Sequence, residues 1–313
     1  MIIDARGLRR SFGDVEAVRG VDLGVEAGET VGLLGPNGAG KTTTLRMLTT
    51  LLRPTSGTAT VAGADLLTEQ ALVRQRIGYV AQSGGTEARC KVGEELVLQA
   101  ELYRLDRTTA RLRAAELCEL LGLGGLEDRT VGTLSGGQRR KLDIALGLVH
   151  SPALLFLDEP SLGLDPSSRD DLWDHLRALR GTTVVLTTHY LDEADALCDR
   201  LLVVDHGVVV ARGTSDELKR SLEGDVVTVD VDRAAVPVLA AHPAVRTVTD
   251  DGHVLRLTVG DGDRVLADLL RLLDGANLAP RSIQLHRPTL DDVFRAVTGK
   301  PLTDDVPART AIG

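Results

Sequence analysis

The chain has 313 residues, enough for about two domains with a sizeable core in each. Its formal net charge of −9 and its 2% of aromatic residues argue against the broad basic surface and the stacking platforms that nucleic-acid binding needs. Cys90, Cys118 and Cys198 are odd in number and form no CxxC, which fits a reducing cytosol rather than a disulfide frame or a zinc site; no apolar stretch is long enough to span a membrane, and MIIDARGLRRSF has charges too early for a secretory signal.

In chain order, residues 1 to 30 predict short strands with turns at Gly13-Asp14 and Ala27-Gly28. TVGLL, 30 to 34, is an apolar run of strand length, and TTTLRMLTTLL after Lys41 has apolar residues at helical spacing. Between them lies GPNGAGKTT, in which Gly35, Gly40, Lys41 and Thr42 fit the G-x-x-x-x-G-K-[ST] pattern of a phosphate-binding loop. Glycines there free the backbone to wrap a triphosphate, the lysine ammonium reaches the terminal phosphates, and the Thr42 hydroxyl can ligate Mg²⁺. Gly35, Pro36, Asn37, Gly38, Ala39, Gly40, Lys41, Thr42 and Thr43 are therefore the candidate cradle. A strand before the loop and a helix after it put the phosphates at a helix N-terminus.

From about 83 to 140 the texture changes, and ELVLQAELYRL and ARLRAAELCELLGL predict amphipathic helices in an all-helical insertion. LSGGQRRKL follows, with Ser135, Gly136, Gly137 and Gln138 opening a helix and presenting a hydroxyl and N–H groups to an anion. LLFLDEP, Leu154 to Pro160, is a buried-strand run ending in two acids: Asp158 suits an Mg²⁺ shell, and Glu159 a general base for water. Beyond residue 220 a βαββαβ order is expected. DVVTVDV reads as a strand, RAAVPVLAAH as a helix broken near Pro237, AVRTVTD and HVLRLTV as strands around Asp250-Asp251-Gly252, DRVLADLLRLL as a helix, and SIQLH as a last strand. That is the order of a ferredoxin-like unit, and it holds no cluster of acids, histidines or cysteines resembling a catalytic site.

With the phosphate loop, LSGGQ and LLFLDEP in this order, the chain from about 3 to 220 resembles the nucleotide-binding subunit of an ABC transporter. The resemblance implies a P-loop NTPase α/β fold with a helical subdomain, and it adds further residues. Phe12 stands where the family has an aromatic that stacks on adenine, and Gln82, in YVAQS, matches the glutamine that senses Mg²⁺ and water and faces the membrane partner. Asp165, in SLGLDP, matches the dimer-interface aspartate, and His189 matches the histidine that contacts the γ-phosphate. His189 follows TTVVLTT, hence stands at a strand end, where open parallel sheets bind ligands. RPTLDDVFRAVTG, Arg287 to Gly299, resembles the ending of ATPases from exporters of the daunorubicin and doxorubicin resistance type. One position departs from the family: Lys91 stands where a capping Thr or Ser is usual, so either another group caps the next helix or that helix frays.

These readings imply an ABC-type domain over 1–222 with its helical subdomain at about 83–140, a small C-terminal α+β domain of βαββαβ order over 223–300, and a disordered tail over 301–313. They imply a Mg²⁺-dependent ATPase with Glu159 and His189 catalytic, Thr42, Gln82 and Asp158 around the metal, and ATP held head to tail in a homodimer. A separate transmembrane permease would be driven from the cytoplasmic face of the cell membrane, with export of a hydrophobic drug or antibiotic favoured by residues 287–299. An importer or lipid exporter would share the nucleotide chemistry. A non-transport ATP-dependent clamp usually carries two such cassettes, and a non-hydrolysing regulatory module would be expected to lack Glu159 or His189.

Overall fold

A computed structural model of the chain describes residues 1–300 and 302, except Arg180, Glu223 and His253. Apart from Leu302, the expected tail lies outside the described residues, as does His253 at the start of the expected HVLRLTV strand. Two compact units are formed, Met1–Ser215 and Asp216–Asp304.

In the first unit β1 (Ile3–Phe12) and β2 (Val15–Val25) pair antiparallel about Gly13, so the short strands expected here are strands of 10 and 11 residues. β3 (Thr30–Leu34) is buried at four of its five positions and feeds the glycine-rich loop, after which α1 (Lys41–Leu48) buries Leu45, Met47 and Leu48. β4 (Ser56–Val61) and β5 (Ala64–Asp65) complete an antiparallel sheet of order β2-β1-β4-β5. Then come α2 (Gln70–Arg76) and β6 (Ile77–Val80).

The helical insertion has α3 (Val92–Leu102), α4 (Arg107–Leu120) and α5 (Gly136–Leu148). Leu96, Ala100, Ala110, Leu117, Leu142 and Ile144 meet in its core, which is the apolar face that the helical spacing anticipated. Lys91 supplies no side-chain cap to α3. The Val92 and Gly93 N–H groups instead donate to the carbonyls of Arg129 and Glu127 at 3.0 and 2.9 Å, so the helix start is satisfied from a distant loop.

β7 (Leu154–Asp158), α6 (Pro166–Arg177), β8 (Thr183–Thr188), α7 (Leu191–Leu197), β9 (Arg200–Asp205), β10 (Val208–Gly213) and α8 (Ser215–Arg220) follow. The second sheet has the order β10-β9-β3-β8-β7-β6, with every pair parallel except the edge pair β10-β9. Every residue of β7 and β8 is buried, as befits parallel strands covered on both faces. Because β3, β8, β7 and β6 are parallel neighbours, their C-terminal ends share one edge. From that edge emerge, in order, the glycine-rich loop, His189, Asp158-Glu159 and Gln82.

The second unit contains β11 (Asp225–Asp230), α9 (Val236–Ala240), β12 (Val245–Asp250), β13 (Leu255–Val259), α10 (Gly262–Gly275), β14 (Ser282–His286) and α11 (Leu290–Thr298). Its antiparallel sheet has the order β12-β13-β11-β14, the expected βαββαβ unit with a further helix. Val227, Val229, Leu255, Leu257 and Val259 face Leu239, Leu269 and Leu273 of the helices. The expected break near Pro237 is present: Arg233–Ala235 form a 3₁₀ turn, and α9 begins at Val236 with Pro237 in its first turn, where proline costs little.

Candidate functional site

The glycine-rich loop is held in one shape by sterics. A Cβ at Gly35 would lie 2.1 Å from the Val204 carbonyl oxygen, and one at Gly40 would lie 2.5 Å from that of Ala17. Gly40 also has φ of 99° at the N-cap of α1 and leaves that helix start without a side-chain cap, so its N–H groups are available to an anion. Lys41 is 4% exposed; its Nζ donates to the Gly35 and Pro36 carbonyls at 2.7 and 3.0 Å and stands 3.6 Å from Glu159 Oε1. Burial pulls the ammonium below its ordinary pKa, opposed by Glu159 and Asp158.

Asp158, at the end of β7, ties the loop to the central strands. Its Oδ1 accepts from Thr42 Oγ1 at 2.8 Å and from Thr187 Oγ1 at 2.7 Å, while Oδ2 is buried without a hydrogen-bond partner. An orphaned carboxylate oxygen beside a hydroxyl is the donor set that a hard divalent cation takes. Among the described residues no group of three or more His, Cys, Asp or Glu could hold a metal ion by itself.

Glu159 is a non-glycine residue at φ of 46°, a conformation that costs on the order of 1–3 kcal/mol and persists where the surroundings fix it. Its N–H donates to Thr187 Oγ1 at 3.0 Å and its carbonyl accepts from Arg140. Around the side chain, Gln82 Nε2 donates to Oε2 at 3.3 Å, and His189 Nδ1 stands 3.4 Å from Oε1. Burial raises the Glu159 carboxyl, but His189 and Lys41 outweigh it and hold the group below its ordinary value. The carboxylate is thus ionised and aimed at the space beside Lys41.

The structure brings Lys41, Thr42, Gln82, Asp158, Glu159 and His189 into one cluster. Ser135 to Gln138 and Asp165 are outside it. Ser135 caps α5 in a capping box, its Oγ accepting from Gln138 N–H and Gln138 Oε1 accepting from Ser135 N–H. Asp165 caps α6 by accepting from the Ser168 N–H and hydroxyl, and a Cβ at Gly137 would lie 3.0 Å from Ser168. The two helix starts therefore abut, leaving Ser135 and Asp165 partly or fully exposed. Phe12 is 48% exposed at the end of β1 with the Arg10 guanidinium 4.6 Å from its ring centroid, so it is a surface aromatic and not a small core residue.

Sequence reasoning misses Thr187 and Arg140. Thr187 could have been found as the residue two before His189, near the end of the strand that precedes it. Arg140 reads as one of three successive cations in LSGGQRRKL; Lys141 beside it is buried too, and nothing in the string says that Arg140 is the one that reaches the Ala81 and Asp158 to Pro160 carbonyls.

Residues 18–162 match the family model described as ABC transporter, and 213–298 match the one described as ATP-binding protein DrrA1-3-like, C-terminal domain. The chain is 47% identical to the daunorubicin/doxorubicin resistance ATP-binding protein DrrA of Streptomyces peucetius, over 96% of this chain and 94% of that one. It is 38% identical to the Nod factor export ATP-binding protein I of Burkholderia orbicola, over 96% of this chain and 98% of the relative. Among solved structures, a dimeric bacterial ABC transporter cassette superposes with a TM-score of 0.62 at 25% identity, over 68% of this chain and 98% of the other.

Proposed function

We infer that this chain, which belongs to the ATP-binding subunits of ABC transporters of the daunorubicin and doxorubicin resistance type, hydrolyses Mg²⁺-ATP at the Lys41 to Glu159 cluster and so drives export of a hydrophobic drug or antibiotic. The observation that carries the reading is the convergence of Lys41, Thr42, Gln82, Asp158, Glu159 and His189 on one edge of the parallel sheet.

The chemistry is assigned residue by residue. Backbone N–H groups of the loop and of the α1 N-terminus bind phosphate, and Lys41 exchanges its carbonyl partners for the terminal phosphates. Thr42 and Asp158, with Gln82, would hold a Mg²⁺ ion, whose charge would offset that of the phosphates. Glu159 orients the attacking water and takes its proton, while His189 steadies the Glu159 carboxylate and faces the γ-phosphate. Ser135 and the N–H groups after it remain for the phosphates of a second copy, so that two chains pair head to tail and each ATP is shared. A two-fold axis makes this arrangement self-consistent, and hydrolysis removes the phosphate that joins the halves.

Among the described residues no helix is long and apolar enough to cross a membrane. We place the path for the drug in a separate permease, with this subunit at its cytoplasmic side, by similarity to exporter ATP-binding subunits. A cavity of about 250 Å³ beside Gln82, lined by Tyr79, Ser83, Gly85, Gln99 and Tyr103, is where we place that partner's contact. The reading is tested by calorimetry and phosphate release on the purified chain: wild type is expected to bind ATP and turn it over only with Mg²⁺, and Lys41→Ala to lose affinity. Unaltered affinity in Lys41→Ala would remove the loop from the site.

A further inference from the structure

Helix α5, capped by Ser135, presents Arg140 and Asp143, three residues apart and hence on one face. Both are largely buried, at 7% and 8% exposure. The Arg140 guanidinium spends its donors on backbone carbonyls. Nη1 donates to Ala81 at 2.7 Å, Nε to Pro160 at 2.7 Å, and Nη2 to Asp158 at 3.0 Å and Glu159 at 3.4 Å. One planar fork thus grips Glu159 and the residue on either side of it, together with the residue that precedes Gln82.

Asp143 holds the other side of Gln82. Its carboxylate lies against the backbone there: a Cβ at Gly84 would lie 2.5 Å from Asp143 Oδ2 and 2.9 Å from Oδ1. The segment carrying Gln82 is therefore fixed on both flanks by a single helix. Burying a guanidinium is costly, and an apolar side chain of similar volume would fill the same space without that cost. What the apolar residue could not do is hold three separate segments in register.

We propose that Arg140 and Asp143 are positioning residues for ATP hydrolysis, which lock Gln82 and Glu159 to the helix whose cap is Ser135. The proposal rests on the roles given above to Gln82, Glu159 and Ser135, and adds how they are joined. Ser135 and Arg140 are five residues apart, about 7.5 Å along a helix, too short a rod to bend appreciably. A nucleotide held by a second copy against Ser135 then sets the placement of this chain's own Gln82 and Glu159. Each site is informed of the other's occupancy through α5.

The test uses the full chain with Arg140→Gln, Arg140→Lys, Asp143→Ala and Asp143→Asn, the last two also combined with Gln82→Ala. ATP Kd, KM and kcat are measured for each. No hydrogen bond of Arg140 or Asp143 reaches Gly35 to Thr43, so Kd and KM should stay within about twofold, whereas kcat of Arg140→Gln falls on the order of 10- to 100-fold through misplacement of the reacting groups. Arg140→Lys recovers only part, because an ammonium cannot reproduce the fork. Asp143→Ala lowers kcat and Asp143→Asn restores most of it, since the amide keeps the shape that packs against Gly84. In the Gln82→Ala background, Asp143→Ala adds less than about twofold, as expected of a residue that acts through Gln82. Fully additive effects of Asp143→Ala and Gln82→Ala, or an Arg140→Gln loss confined to KM, would overturn the proposal. Should Arg140→Gln fail to fold, the cycle between Asp143 and Gln82 decides alone. Wild-type kcat in both Gln82→Ala and Glu159→Gln would overturn the site assignment beneath the proposal as well.

Discussion

Asp158 takes hydroxyl hydrogens from Thr42 and Thr187 on one carboxylate oxygen and leaves the other buried without a donor. Because a missing partner for a buried anion is costly, an ion is expected to supply it. Asp158→Asn should therefore bind ATP about equally with and without Mg²⁺, whereas wild type binds more tightly with it; calorimetry in the two buffers distinguishes these. Glu193 makes a second residue-scale case. It is fully buried behind His189 and accepts from Trp173 Nε1 at 3.2 Å. Burial raises its pKa, more than neighbouring donors such as Trp173 Nε1 lower it. A raised carboxyl binds a proton more readily folded than unfolded, so its contribution is fullest below the unfolded pKa and is lost as pH climbs through the folded one. The stability of wild type relative to Glu193→Gln should therefore decline as pH rises above the ordinary glutamate range, as followed by thermal unfolding. A flat or rising difference would contradict the buried, proton-retaining state. Lys41, Thr42, Asp158 and Glu159 were legible in the sequence because each sits at fixed spacing in a short string. Glu193 and Arg140 were not, because their partners lie on other elements.

At the scale of elements, the strongest signals were local ones. TVGLL, LLFLD and TVVLTT were readable as strands because they are continuous apolar or β-branched runs, and the structure buries them throughout or nearly so. SGTATV at β4 escaped notice, since a strand buried at only two positions and rich in Ser, Gly and Thr has little apolar alternation to read. The start of α3 illustrates the opposite limit. Lys91 was correctly seen to lack a capping oxygen, but the carbonyls that replace one come from Glu127 and Arg129, tens of residues away in the chain. In the second unit α11 carries its own signal: Thr289 accepts from the Asp292 N–H at 3.2 Å and Asp292 Oδ2 accepts from the Thr289 N–H at 2.8 Å. Thr289→Ala should cost about 1 kcal/mol in urea unfolding of the chain, and Thr289→Ser should recover most of it. No loss on removing the hydroxyl would mean that α11 is held by its buried Leu290, Val293 and Phe294 alone.

For the whole molecule, parallel pairing of β3, β8, β7 and β6 turns separate motifs into a single site, and this topology could be inferred only from family resemblance. The chemistry-bearing residues all lie in the first unit, so a chain ended after residue 222 should still bind Mg²⁺-ATP, while co-purification with the permease falls. A truncated chain that folds yet cannot bind would place part of the site in the second unit. The shared-site reading makes a separate demand on pairs of copies. Mixing Ser135→Arg with Lys41→Ala protein should produce dimers with one site carrying both lesions and one carrying neither, and hence some returned activity. No recovery in dimers shown to form would argue against the head-to-tail arrangement. The central claim, that Glu159 drives hydrolysis of ATP bound at Lys41, is tested most directly by Glu159→Gln, with ATP affinity and phosphate release measured on the same preparation. The amide keeps the shape but loses the base, so affinity should match wild type while the release rate falls on the order of 10²–10⁴-fold; release near the wild-type rate would contradict it.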